Sequence, residues 1–146
     1  MIYLEVNQEA LESLAAEMAS SASPGCRYFL YGDLGMGKST FARAFLRALG
    51  VTGQIPSPTF IIDSVYSIPD SDLTVHHMDL YRLEGAPGEI EMLGFEDIFE
   101  SSAVVLVEWP DRIPDIRDRR GCTVRLEPGE TPDTRRVEID WNLAGY

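Results

Sequence analysis

Apolar residues recur at spacings of three and four from Leu11 through Leu14, Ala15 and Met18. That is the period of a helix with one buried stripe. Asn7 stands where a side-chain cap is needed, and Ser20 to Gly25 breaks the pattern. A compact apolar run, Tyr28-Phe29-Leu30-Tyr31, follows and leads directly into Gly32-Asp33-Leu34-Gly35-Met36-Gly37. Lys38 to Leu49 is helical again, with Phe41, Ala44, Phe45 and Ala48 on one side and Gly50 as its stop. The order here is strand, glycine-rich loop, helix. Pro56 and Pro58 bracket a loop, after which Phe60 to Tyr66 predicts a strand. Pro69-Asp70-Ser71-Asp72 reads as the turn of a hairpin whose second strand is Leu73 to Leu80. Glu84 to Gly94 and Phe95 to Phe99 predict short helices. Ala103 to Val107 is apolar throughout, as expected of a strand covered on both faces. Cys122 to Leu126 and Arg136 to Ile139 alternate, predicting more exposed strands near the C-terminus. Interleaved strands and helices point to an α/β fold, with a central mixed or mostly parallel sheet flanked by helices.

Length and charge narrow this picture. The chain has 146 residues, enough for one domain over 1–146 with a core that needs no disulfide or metal staple. It carries 24 acidic and 12 basic residues, a formal net charge of −12. Such a surface repels phosphate backbones, so nucleic acid, if it matters to function, is expected to be reached through a partner. Cys26 and Cys122 belong to no Cys-x-x-Cys or Cys/His spacing, and both are expected to be buried and reduced. Met1-Ile2-Tyr3-Leu4-Glu5 lacks the basic start of a signal peptide, and the longest apolar run, Ala103 to Val107, is too short to span a bilayer. The expectation is a cytoplasmic protein with no membrane contact.

Gly32 to Ser39 matches G-x-x-x-x-G-K-[ST] at every fixed position, which makes the domain P-loop NTPase-like. Glycines let Gly35, Met36 and Gly37 bring backbone N–H groups close to phosphate oxygens. The helix that starts here adds its free N–H groups and the positive end of its dipole. Lys38 can reach the β- and γ-phosphates, Ser39 can coordinate Mg²⁺, and Thr40 falls near the α-phosphate. A loop of this kind also needs an acid at the end of a neighbouring strand to hold the metal shell. Glu108, directly after Ala103 to Val107, supplies one. Asp79, at the end of the Leu73 to Leu80 strand, supplies a second that could orient water. His76 and His77 point to opposite strand faces and are poorly placed to share one ion; one is expected to be packed and the other hydrogen-bonded.

Together these residues resemble the bacterial TsaE (YjeE-type) ATPases, which take part in making threonylcarbamoyladenosine in tRNA. The resemblance rests on Tyr31 to Phe41, Ser57-Pro58-Thr59-Phe60, His77 to Leu83 and Val107-Glu108-Trp109-Pro110, with weaker support from Glu89 to Asp97. It spans roughly residues 5 to 112. It implies ATP hydrolysis with Mg²⁺ held by Ser39 and Glu108, and Asp79 needed for turnover. It also implies a switch-like Thr59 that senses the γ-phosphate, Asn7 and Gln8 near the adenine, and Trp109 beside the metal carboxylate and near the nucleotide, a position an ordinary core or rim aromatic would fill equally well. The implied partners are the TsaB and TsaD proteins, with tRNA held only through them. Met36 stands where the family often has alanine and Ser39 where threonine is usual; Met36 is expected to narrow access at the outer face of the loop.

Three functions follow from the residues. The first is a slow, partner-stimulated ATPase acting as a nucleotide-dependent switch. The second is a small-molecule kinase that closes the arginine-bearing segment Asp111 to Arg120 over an acceptor. The third is a nucleotide-binding scaffold that never hydrolyses. The three aspartates that nearly cancel the arginines in Asp111 to Arg120 favour a solvated loop there over a lid.

Overall fold

The computed structural model describes residues 1–55, 62–83, 88, 92, 94–113, 115–116 and 119–142. Their order is β1 (Ile2–Val6), α1 (Gln8–Ser20), β2 (Arg27–Tyr31), α2 (Lys38–Ala48), β3 (Asp63–Ser67) and β4 (Thr74–Asp79). Then come α3 (Phe95–Glu100), β5 (Val104–Glu108), a 3-10 turn (Pro110–Arg112), β6 (Gly121–Pro128) and β7 (Arg135–Asn142). All seven described strands form one sheet in the order β1-β7-β6-β2-β5-β4-β3. The centre is parallel: β6 with β2, β2 with β5, and β5 with β4. Antiparallel pairs flank it, β3 on β4 at one side and β7 on β6 and β1 on β7 at the other. The sheet is therefore mixed, one of the two arrangements expected from the sequence.

Strand alternation divides the core into two layers. Tyr28 and Leu30 of β2 and Val104 and Leu106 of β5 face α1 and α2, packing with Leu11, Leu14, Phe41 and Phe45. Phe29, Val105 and Val107 face the other way and pack with Met78, Phe95 and Phe99. Every residue of β5 is buried, the consequence of helices on both faces. Asn7 caps α1 as its position predicts: its Oδ1 accepts from the Ala10 N–H at 2.8 Å.

The structure differs from the sequence reading at several points. β1 was not anticipated, because Ile2 and Leu4 are exposed and its hydrogen bonds come from β7, more than 100 residues away by sequence. β6 lies between two strands yet alternates, because Cys122, Val124 and Leu126 face the core while Arg125 stacks over Tyr31 on the outer face. Cys122 is buried but Cys26 only half so; both are free thiols. Phe60 and Ile61, and all of the expected Glu84 to Gly94 helix apart from 88, 92 and 94, lie outside the described residues. Among the described residues no helix is long and apolar enough to cross a membrane.

What this topology does for function is simple. β2, β5 and β4 are parallel neighbours, so their carboxyl ends share one edge. The glycine-rich loop leaves β2 there, and Glu108 and Asp79 end β5 and β4 as paired residues of adjacent strands.

Candidate functional site

The loop is held in a shape that only glycine takes easily. Gly35 and Gly37 have φ of +81° and +107°. A Cβ on Gly37 would also come within 2.9 Å of Leu11 Cδ2 on α1. Inside the loop the Met36 N–H donates to the Asp33 carbonyl at 3.2 Å. From outside, Arg135 at the start of β7 donates Nε to the Met36 carbonyl at 3.2 Å and Nη2 to the Gly35 carbonyl at 3.3 Å. Its Nη1 donates to Pro132 and Thr134 carbonyls at 2.8 and 2.9 Å. In a trans peptide the C=O and N–H point opposite ways, so turning the Met36 carbonyl to Arg135 turns the Gly37 N–H away from it.

Lys38, first in α2, is buried, and its ammonium donates to the Gly32 carbonyl and, at 3.0 Å, to the Asp33 carbonyl. It sits 4.2 Å from the centre of the Trp109 ring. Burial pulls its pKa below the usual lysine value, opposed by the negative charge of Glu108 and Asp79.

Ser39 and Glu108 meet directly. The Ser39 hydroxyl lies 3.1 and 3.2 Å from the two carboxylate oxygens of Glu108. Glu108 is buried, and its Oε2 is 2.7 Å from Nε2 of His77, which is buried as well. Asp79 accepts from the Tyr81 N–H at 3.0 Å. Burial raises the pKa of Asp79 above the ordinary aspartate value, and neighbouring Glu108 adds to the rise.

Two cavities open on this edge. One, about 360 Å³, is lined by Lys38, Ser39, Asp79, Arg82, Glu108 and Trp109, among others. The second, about 470 Å³, includes Asn7, Gln8, Met36, Pro132, Asp133 and Arg135. Gly35, Gly37 and Thr40 line both, so the loop and the first turn of α2 stand between them. Trp109 adopts a left-handed backbone (φ +59°) that starts the 3-10 turn, and its ring packs against Tyr81 at 5.0 Å between centroids.

The structure thus brings Lys38, Ser39, Asp79, Glu108 and Trp109 to one cavity, and Gln8 and Met36 to the other. Thr59 lies outside the described residues. Both histidines are hydrogen-bonded, rather than one packed and one bonded: His76 Nδ1 is 2.8 Å from Asp63 Oδ2 on the opposite sheet face. Of the described arginines of the supposed lid, Arg112 donates to the Tyr81 carbonyl at 3.4 Å beside the first cavity, and the other two turn elsewhere. Arg119 pairs with Glu96 on α3, and Arg120 lines a cavity with Arg27 and Gly121 at the amino edge of β2 and β6. Two residues of this neighbourhood hold no place in the site as the sequence reads it. His77 shares a strand face with Asp79 two residues on, a spacing that reveals it once Asp79 is placed. Arg135 has no local signal, since the loop it braces lies about 100 residues earlier.

The family model of the threonylcarbamoyl adenosine biosynthesis protein TsaE matches residues 6–137. A TsaE of Bacillus subtilis is 43% identical over 104 residues, covering 71% of this chain and 63% of that protein, so the chain spans less than two thirds of that relative. A TsaE of Streptomyces coelicolor is 33% identical over 128 residues, 86% of each chain. The crystal structure of Bacillus subtilis YdiB superposes with a TM-score of 0.77 at 31% identity, over 95% of this chain and 83% of that one.

Proposed function

The chain belongs to the TsaE family, and from that premise we propose that it binds ATP with Mg²⁺ and hydrolyses it slowly in tRNA threonylcarbamoyladenosine biosynthesis. In this reading it is a cytoplasmic switch acting on a TsaB–TsaD pair, with tRNA held by the partners. The observation that carries the reading is the meeting of the Ser39 hydroxyl with the Glu108 carboxylate at 3.1 Å, beside the buried Lys38 ammonium.

An alcohol and a carboxylate are hard oxygen donors, and few protein ligands suit Mg²⁺, which keeps much of its water. Ser39 and Glu108 would hold the ion, which when bound neutralises charge on the β- and γ-phosphates. Lys38 would exchange its loop carbonyls for those phosphates, and Gly35, Met36, Gly37 and Thr40 would line the rest of the phosphate path. Asp79, made more basic by burial, would orient the attacking water and take up its proton. Gln8 and Asn7, in the second cavity, would face the adenine. Trp109 would close the nucleotide side of the first cavity, and Thr59 would report on the γ-phosphate, ordering its loop in the ATP state and releasing it after hydrolysis.

The test uses labelled ATP. Incubation with the TsaB–TsaD pair is expected to accelerate phosphate release, with no labelled small-molecule product. Transfer of label to a small acceptor without partners would overturn the switch in favour of a kinase. The scaffold reading is separated by Asp79→Ala: retained ATP binding with loss of partner function counts against it.

A further inference from the structure

We propose that His77 is a positioning residue for Glu108, fixing the carboxylate toward Ser39 and so setting how tightly the site takes a divalent cation with nucleotide. This rests on the reading of Glu108 as a metal-shell acid. His77 lies on β4, on the same sheet face as Asp79, and is wholly buried. An imidazole so placed is costly unless its polar atoms are paired. Among the described residues Nδ1 has no hydrogen-bond partner, so the ring's one polar tie among them is Nε2 to Glu108 at 2.7 Å. A carboxylate can only accept, which makes Nε2 the donor.

That tie has a geometric consequence. Ser39 Oγ lies almost equally far from both Glu108 oxygens, 3.1 and 3.2 Å. A carboxylate free to spin about its last bond would not keep that arrangement. The Lys38 charge also acts on Glu108. Without the His77 N–H, the carboxylate is freer to turn away from Ser39 toward the ammonium, which takes it from the place proposed for the metal. Groups that orient metal-binding carboxylates from behind commonly change metal affinity by about ten- to a hundredfold when removed.

The experiment measures Mn²⁺ binding by electron paramagnetic resonance, in the full chain saturated with a non-hydrolysable ATP analogue. Metal-free ADP affinity is measured in parallel by calorimetry. His77→Leu fills similar volume without a donor and is expected to weaken Mn²⁺ binding roughly ten- to a hundredfold, leaving metal-free ADP affinity unchanged. His77→Gln places an amide N–H at a reach similar to Nε2 and is expected to recover most of the loss. Glu108→Gln separates the two readings. If it weakens Mn²⁺ binding while His77→Leu does not, Glu108 keeps its role and the positioning by His77 is wrong. If Glu108→Gln binds Mn²⁺ like wild type, the metal-shell reading falls and the proposal with it. Should His77→Leu fail to fold, His77→Gln and His77→Asn decide, since they differ in reach and little else. Weaker Mn²⁺ binding in the Asn variant alone supports the proposal, and equal binding in both overturns it.

Discussion

Lys38 is the residue whose removal should cost most at the binding step. It supplies the only fixed positive side chain that the P-loop motif itself requires. Lys38→Ala is expected to lower ATP affinity by roughly ten- to a hundredfold, the scale of about 1.5–3 kcal/mol for a hydrogen bond to a charged group. Calorimetric titration checks this, and wild-type affinity would remove Lys38 from the site. Asp79 makes a different prediction, in pH. Its pKa is raised in the fold by burial, so its neutral form is favoured there. If Asp79 is the proton acceptor as proposed, it is lost at a pH above that of an ordinary aspartate, and the acid limb of the kcat profile should be displaced upward. The sign for stability is opposite: ionised Asp79 costs the fold, and that cost is relieved as pH falls through the raised pKa. Asp79→Asn should abolish turnover while leaving the melting temperature at neutral pH unchanged or higher. A variant that melts well below wild type would show that Asp79 holds the fold together instead.

At the scale of elements, the loop is braced from two sides. α1 packs Leu11 against Gly37, and β7 delivers Arg135 to the Gly35 and Met36 carbonyls. Arg135→Ala removes these donors without touching Ser39 or Glu108. It should weaken nucleotide binding by roughly tenfold, about the worth of one or two hydrogen bonds, while the Mg²⁺ concentration for half-maximal hydrolysis stays the same. A change in that Mg²⁺ requirement with unchanged nucleotide affinity would contradict the bracing role. The start of α1 has its own test. Asn7→Ala deletes the cap to the Ala10 N–H and should cost about 1 kcal/mol in urea unfolding. A loss within error of zero would mean water satisfies that donor equally well. α1 and α2 were readable because their apolar stripes and stops are local. β1 was not, because its pairing energy comes from β7 rather than from its own residues.

For the whole molecule, the charge of −12 is the property with the widest reach. The isolated chain should not retain tRNA at physiological salt in a gel-shift assay, whether or not ATP is present. A stable shift would mean that local basic clusters outweigh the net charge and that the partners are not needed to hold tRNA. The same scale separates what the chain's order dictated from what folding added. The glycine-rich loop, the helix behind it and the buried β5 were determined locally, by glycine spacing, helical period and an unbroken apolar run. Glu108 and Asp79 were legible because strands end in them. That they meet at one edge depended on strand order, which arises from pairing between distant segments. That Ser39 and Glu108 serve one ion is expected from the sequence, whereas their direct hydrogen bond, the support of His77 and the reach of Arg135 to the loop were decided by tertiary structure. Each joins residues whose sequence separation leaves no periodic trace, and only packing brings their polar atoms within hydrogen-bond distance.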